Sequence, residues 1–94
     1  MIMHTKKVMY MGQPHIAMFI PRQLGESKPT YAAIPLHEWD NLEIHHPKFI
    51  LRTVPKYCAI SRALATEIFR NYPHLPGSTP YDDDWANENY RSPL

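Results

Sequence analysis

The chain has 94 residues, 44% of them hydrophobic and 20% charged, with a formal net charge of +1 at pH 7. That balance excludes a disordered polyelectrolyte and gives no overall pull toward polyanions. A chain of this length buries roughly 60–65% of its unfolded surface, enough for one small core.

Ten prolines stand against three glycines, so irregular connections should be stiff, because proline fixes φ. The longest unbroken apolar run is "IAMFI", residues 16–20, far too short to cross a bilayer. No apolar stretch follows the charged start "MIMHTKK", so no signal peptide is expected. A single cysteine, Cys58, cannot build an intrachain disulfide and fits a reducing, cytoplasmic setting.

In chain order, "KKVMYM" (6–11), "HIAMFI" (15–20) and "TYAAI" (30–34) read as strands. They are rich in strand formers and separated by Gly- and Pro-bearing links, which predicts a three-stranded antiparallel meander. After Pro35, the spacing of Leu36, Trp39 and Leu42 predicts a short helix near 36–42. Residues 47–53 leave strand and helix both open, since Phe49, Ile50 and Leu51 are consecutive; helix is preferred.

Residues 54–72 carry the strongest helical pattern, with Thr53 as cap, Pro55 in the first turn and Pro73 as stop. At 100° per residue, Ile60, Leu64, Tyr57, Ile68, Tyr72, Ala65, Cys58 and Phe69 form one apolar arc. Arg62, Thr66, Ala59, Arg70, Ala63, Lys56 and Glu67 form the other. The predicted fold is α+β: the meander packed by this amphipathic helix, the short helix, and an irregular acidic C-terminus. The organisation expected is a single domain over 1–80 followed by a separate segment, 81–94.

Charge separates those two parts. Residues 1–80 hold nine basic and five acidic side chains; residues 81–94, "YDDDWANENYRSPL", hold one and four. Asp82, Asp83 and Asp84 suit a helix N-terminus, and Tyr81 and Trp85 then share a face. Such a segment is too short to stand alone. Either it is a strut, with Trp85 on an uncovered face of the sheet, or it is a hook whose aromatics anchor in a partner.

Residue chemistry narrows function further. His37, Glu38, Asp40, Glu43, His45 and His46 could be metal ligands, but their spacing does not preorganise a zinc site. Cys58 falls on the apolar arc, where cysteine behaves as a small hydrophobe and not as a nucleophile. No catalytic motif is recognisable, and no enzyme activity, metal or cofactor is expected. Residues 44–80 carry five basic side chains against one acid, and Lys56, Arg62 and Arg70 could meet phosphates. That cluster is sparse beside ordinary nucleic-acid readers.

Protein binding is the reading preferred. Residues 16–20 are apolar on both sides, so one face awaits cover from the short helix, the acidic end or a second copy. The contact candidates are Asp82, Asp83, Asp84, Trp85, Tyr81, Tyr90 and, on the sheet, Phe19. The expected class is a small regulator or inhibitor that occupies a surface of a larger assembly, of the kind phages and other mobile elements carry. A nucleic-acid-binding regulator is the alternative, and no membrane role is expected.

Overall fold

A tight hairpin begins the chain. The computed structural model describes residues 3–21, 29–46, 49–50 and 58–76. Within it, strand β1 (His4–Tyr10) pairs antiparallel with β2 (Gln13–Ile20), from His4 opposite Phe19 to Tyr10 opposite Gln13. Only Met11 and Gly12 link them, with φ of 51° and 80°. Positive φ at both positions matches the right-handed twist of the flanking strands, as in a type I′ turn. Glycine adopts it freely, whereas a side chain in that region costs about 1 kcal/mol. Met11, read as a strand residue from its alternation, therefore belongs to the turn.

Strand β3 (Thr30–Pro35) pairs antiparallel with the other side of β2, from His15 opposite Pro35 to Ile20 opposite Thr30. The strand order is β1-β2-β3, the meander expected from the sequence. Helix α1 (Leu36–Asp40) follows directly after Pro35, whose fixed φ suits a strand-to-helix entry. Phe49 and Ile50 are helical, and the Ile50 amide donates to the His46 carbonyl at 3.0 Å. Residues 51–53 lie outside the described set.

The long helix is shorter than its wheel suggested. Helix α2 spans Arg62–Asn71, and its cap is Ser61, not Thr53. The Ser61 Oγ accepts from the Leu64 amide at 3.1 Å, satisfying a donor the first turn cannot pair. Just upstream the backbone is extended: Ala59 forms a β-bridge with Ala32, and the Ile60 amide donates to the Tyr31 carbonyl at 3.1 Å. Residues 58–60 therefore leave the predicted helix, while 54–57 lie outside the described residues. The amphipathic arc could not show this, because a strap lying across a sheet edge is apolar for the same reason that a helix stripe is.

Both faces of the sheet are closed within one chain. Ile16, Met18 and Ile20 face one way and join Met3, Ala32, Ile34, Trp39, Ile50 and Cys58 in one buried cluster, with Leu36 and Leu42 alongside. Ala17 and Phe19 face the other way and join Val8, Ile68 and Phe69, flanked by Tyr10, Tyr31, Ile60, Leu64 and Tyr72. The face left open in the sequence reading is thus covered by the short helix and the residues around it.

The two sheet edges are strapped by coil. The Leu75 amide reaches the Lys7 carbonyl on β1 at 2.8 Å, and Ile60 reaches Tyr31 on β3. Each strap occupies a backbone group that a bare edge would offer to another chain.

Candidate functional site

The β3 strap shapes a pair of surface clefts. Residues 58–60 cross from the α1 side of the sheet, where Cys58 is buried, to the α2 side, where Ile60 packs. One cleft, of about 410 Å³, lies between the β1–β2 turn and the start of α2, and Tyr10, Met11, His15, Ile60, Ser61 and Leu64 help to line it. The second, of about 460 Å³, lies beyond the strap and is lined by Pro29, Thr30, Tyr31, Ala59, Ile60 and Arg62. Ala59 and Ile60 belong to both, so the two clefts flank the same strap.

The polar groups around these clefts have defined roles. His15 is 6% exposed, and its Nδ1 lies 3.0 Å from the Gln13 carbonyl oxygen. A carbonyl only accepts, so Nδ1 is the donor in this contact. The Tyr10 ring meets the His15 ring edge-on, with centroids 5.2 Å apart. Arg62, at the first helical position of α2, is exposed and makes no ion pair among the described residues. Met11 is 81% exposed at the rim.

Cys58 also lines the first cleft but is only 3% exposed. Its Sγ lies 3.9 Å from Glu38 Oε2. Burial pushes the thiol up, and the Glu38 carboxylate adds to the shift by its charge and by accepting the S–H bond. The environment holds the protonated thiol, the opposite of what a nucleophile needs.

A second buried polar group stabilises the fold on the opposite edge. Lys6, 6% exposed, donates from Nζ to the carbonyls of Ile68 and Phe69, both at 3.1 Å. These carbonyls lie near the C-terminal end of α2, where a cation complements the helix dipole. Burial pushes the ammonium group down from its ordinary 10.5. Read from sequence, Lys6 was only one more strand residue.

The sequence-derived candidates fall in different places. Phe19 is 9% exposed and sits inside its own chain, stacked on Tyr31 at 5.3 Å and on His4 at 5.7 Å. On a folded monomer it offers almost no contact surface, and with both faces of β2 covered the sheet faces do not require a second copy. Arg62 and Arg70 are both exposed, at opposite ends of α2. Lys56 lies outside the described residues, as do Tyr81, Asp82, Asp83, Asp84, Trp85 and Tyr90.

Among the possible metal ligands, His45 stacks on Trp39 with centroids 4.5 Å apart, and its Nε2 donates to the Trp39 carbonyl at 2.8 Å. No group of three or more His, Cys, Asp and Glu side chains among the described residues is placed to hold a metal ion. Among the same residues, no helix is long and apolar enough to cross a membrane.

The cleft residues Met11, His15 and Ile60 were missed as a unit because they come from distant parts of the chain. One local signal existed: Gly12 two residues after Tyr10, between two strand patterns, marks a hairpin turn and would have placed Met11 at its tip.

Together these features define a small α+β protein, with a three-stranded antiparallel sheet between two helices. No family model, curated protein or solved structure matches the chain.

Proposed function

We propose that this protein is a small non-enzymatic regulator that acts by occupying a surface of a larger protein. The observation that carries this reading is the cleft beside β3, with the exposed Met11 at its rim. Methionine is unbranched and polarisable, which suits adaptable contact surfaces. An apolar side chain that is 81% exposed in a tight turn contributes nothing to this chain's own core. The acidic aromatic residues Tyr81, Asp82, Asp83, Asp84, Trp85 and Tyr90 are proposed, from sequence alone, as a second contact. The buried free thiol of Cys58 supports a reducing compartment such as the cytoplasm.

The alternative, a nucleic-acid-binding regulator, rests on Arg62 and Arg70. They stand eight positions apart, about 12 Å along the helix axis, and could bridge phosphates. The pull is weak, since two such contacts shift the salt dependence of binding by only about two units.

Capture with the tagged full-length chain from cell lysate, with and without nuclease, separates the two. The expected result is a protein retained after nuclease and displaced by untagged chain. Recovery of nucleic acid alone, or of nothing, overturns the protein-binding reading.

A further inference from the structure

We propose that the β1–β2 turn is a peroxide-responsive modification site. Met11, and Met9 beside it, are converted to sulfoxides while the fold stays intact, and the altered Met11 weakens the hold of the first cleft on a partner protein. The effect on binding rests on the protein-binding reading and adds regulation to it; the site-selective oxidation does not depend on that reading.

The methionines divide sharply by position. Met18, 0% exposed, lies within β2, and Met3, 3% exposed, joins it in the cluster under α1. Met9 is 50% exposed near the end of β1, and Met11 is 81% exposed in the turn. Met1 lies outside the described residues. A peroxide must reach a thioether sulfur to oxidise it, so susceptibility follows exposure and the two core sulfurs are shielded. The Tyr10–Gln13 pair closes the hairpin directly on either side of Met11 and Gly12, so the exposure of Met11 is built into the paired strands.

The sulfur that usually answers a peroxide is withheld. Cysteine reacts as the thiolate, and Cys58 is 3% exposed, with its Sγ 3.9 Å from Glu38 Oε2. Burial, joined by the Glu38 charge, keeps that thiol protonated. Among the described residues, the accessible sulfurs are therefore those of Met9 and Met11.

Hydrogen peroxide is the one co-reactant the step requires. A sulfur lone pair attacks one peroxide oxygen, and the S–O bond forms as the O–O bond breaks. The departing hydroxide takes the proton of the transferred oxygen and leaves as water; the sulfur has given up two electrons and the peroxide has gained them. Thiol-dependent sulfoxide reductases, one for each epimer, reverse the change, releasing the oxygen as water while two thiols join as a disulfide.

The consequence follows from where Met11 sits. It lines the first cleft with Ala33, Pro35, Ile60 and Leu64, and a sulfoxide there replaces a flexible apolar contact with a polar, chiral one. Met11 belongs to neither core cluster, so its oxidation removes nothing from the packing.

The first arm of the test needs no partner. The full-length chain is treated with graded hydrogen peroxide and digested with trypsin, which leaves Met9, Met11 and Met18 in one peptide, residues 8–22. Fragment masses then locate each added oxygen. Met11 should oxidise roughly tenfold faster than Met18, with Met9 between them, and the melting temperature should not change. Equal rates for Met11 and Met18, oxidation of Cys58 ahead of Met11, or a melting temperature that falls as Met11 is oxidised overturns the proposal.

The second arm reads binding. Tagged chain, oxidised and then freed of peroxide, is compared with untreated chain in nuclease-treated lysate, counting protein that untagged chain displaces. Retention should fall roughly fivefold or more and return after treatment with both reductases and a thiol. In Met11→Leu, whatever its own level of capture, peroxide should have no further effect. Equal retention by oxidised and untreated chain, or an undiminished peroxide response in Met11→Leu, overturns the switch while the protein-binding reading stands. If the untreated chain captures no protein, that reading falls and the switch falls with it.

Discussion

On one face of β2, the cover is helix α1, five residues long, a length that has no stability of its own in water. Its one fully buried side chain is Trp39, 1% exposed among Ile16, Met18, Ile20, Ile34 and Ile50, with Leu36 packed alongside. On the other face, α2 spreads the same task over Ala65, Ile68 and Phe69 along ten residues. Ala17 at the sheet centre leaves room for that helix, and Phe19 fills the space beside it. Of the two helices, α1 concentrates its full burial in a single indole while α2 distributes it over three side chains, so the two should fail differently.

The largest effect is expected from Phe19→Asp. The new carboxylate would sit between the rings of Tyr31 and His4 at a position only 9% exposed, and burying a charge is severely unfavourable. Loss of the cooperative thermal transition in circular dichroism is the expected result. A folded, soluble variant would show that this face opens to solvent and would restore Phe19 as a contact residue.

Truncation of the two anchors sharpens the comparison. Large-to-small changes at buried aromatics cost about 3–5 kcal/mol. Trp39→Ala should fall at the upper end, because no other side chain of α1 is fully buried and the His45 stack goes with it. Phe69→Ala should fall at the lower end, since Ile68 and Ala65 still hold α2. Urea denaturation of both variants measures the difference; equal costs would mean that α1 is held by more than its indole.

The smallest effect is a pH dependence at the α1 face. The Cys58 thiol is raised above its ordinary 9.0, first by burial and then by Glu38. A group whose folded value is raised contributes stability that is complete below the unfolded value and is lost as pH climbs through the folded one. The unfolded chain releases this proton near 9 while the folded chain keeps it, so stability falls above that point by up to ~1.4 kcal/mol per pH unit. Relative to Cys58→Ala, the wild type should therefore lose its advantage as the pH climbs above about 9. A stability gap that stays constant as pH rises would show that the folded thiol is not raised.

Local pattern carried much of this fold. Alternating apolar residues bounded by Gly and Pro specify strands through steric preference and through burial of every second side chain, and those signals need no distant neighbour. Two-sided apolarity at residues 16–20 likewise marked β2 as a strand covered on both faces, while leaving open whether the short helix, the acidic end or a second copy covers the second. The short helix after Pro35 was legible from the three-residue spacing of Leu36, Trp39 and Leu42.

What pattern could not decide was where the chain touches itself across long sequence separations. The start of α2 depended on Ala59 and Ile60 finding β3, an interaction with residues nearly thirty positions away. That pairing competes with continuing the helix upstream, and only the presence of the β3 edge tips the balance. The same holds for Cys58, whose wheel position put it beside Phe69 although it packs on the opposite face of the sheet.

Composition and periodicity thus determined the class of fold, the central strand and the amphipathic character of the main helix, because each follows from backbone sterics and local burial. The burial of Lys6 against helix carbonyls, the enclosure of Phe19 and the cleft that brings Met11 and His15 to Ile60 were decided only by tertiary structure. Each depends on elements that meet after the chain has folded, and the free energy of those meetings is written in no single stretch of residues.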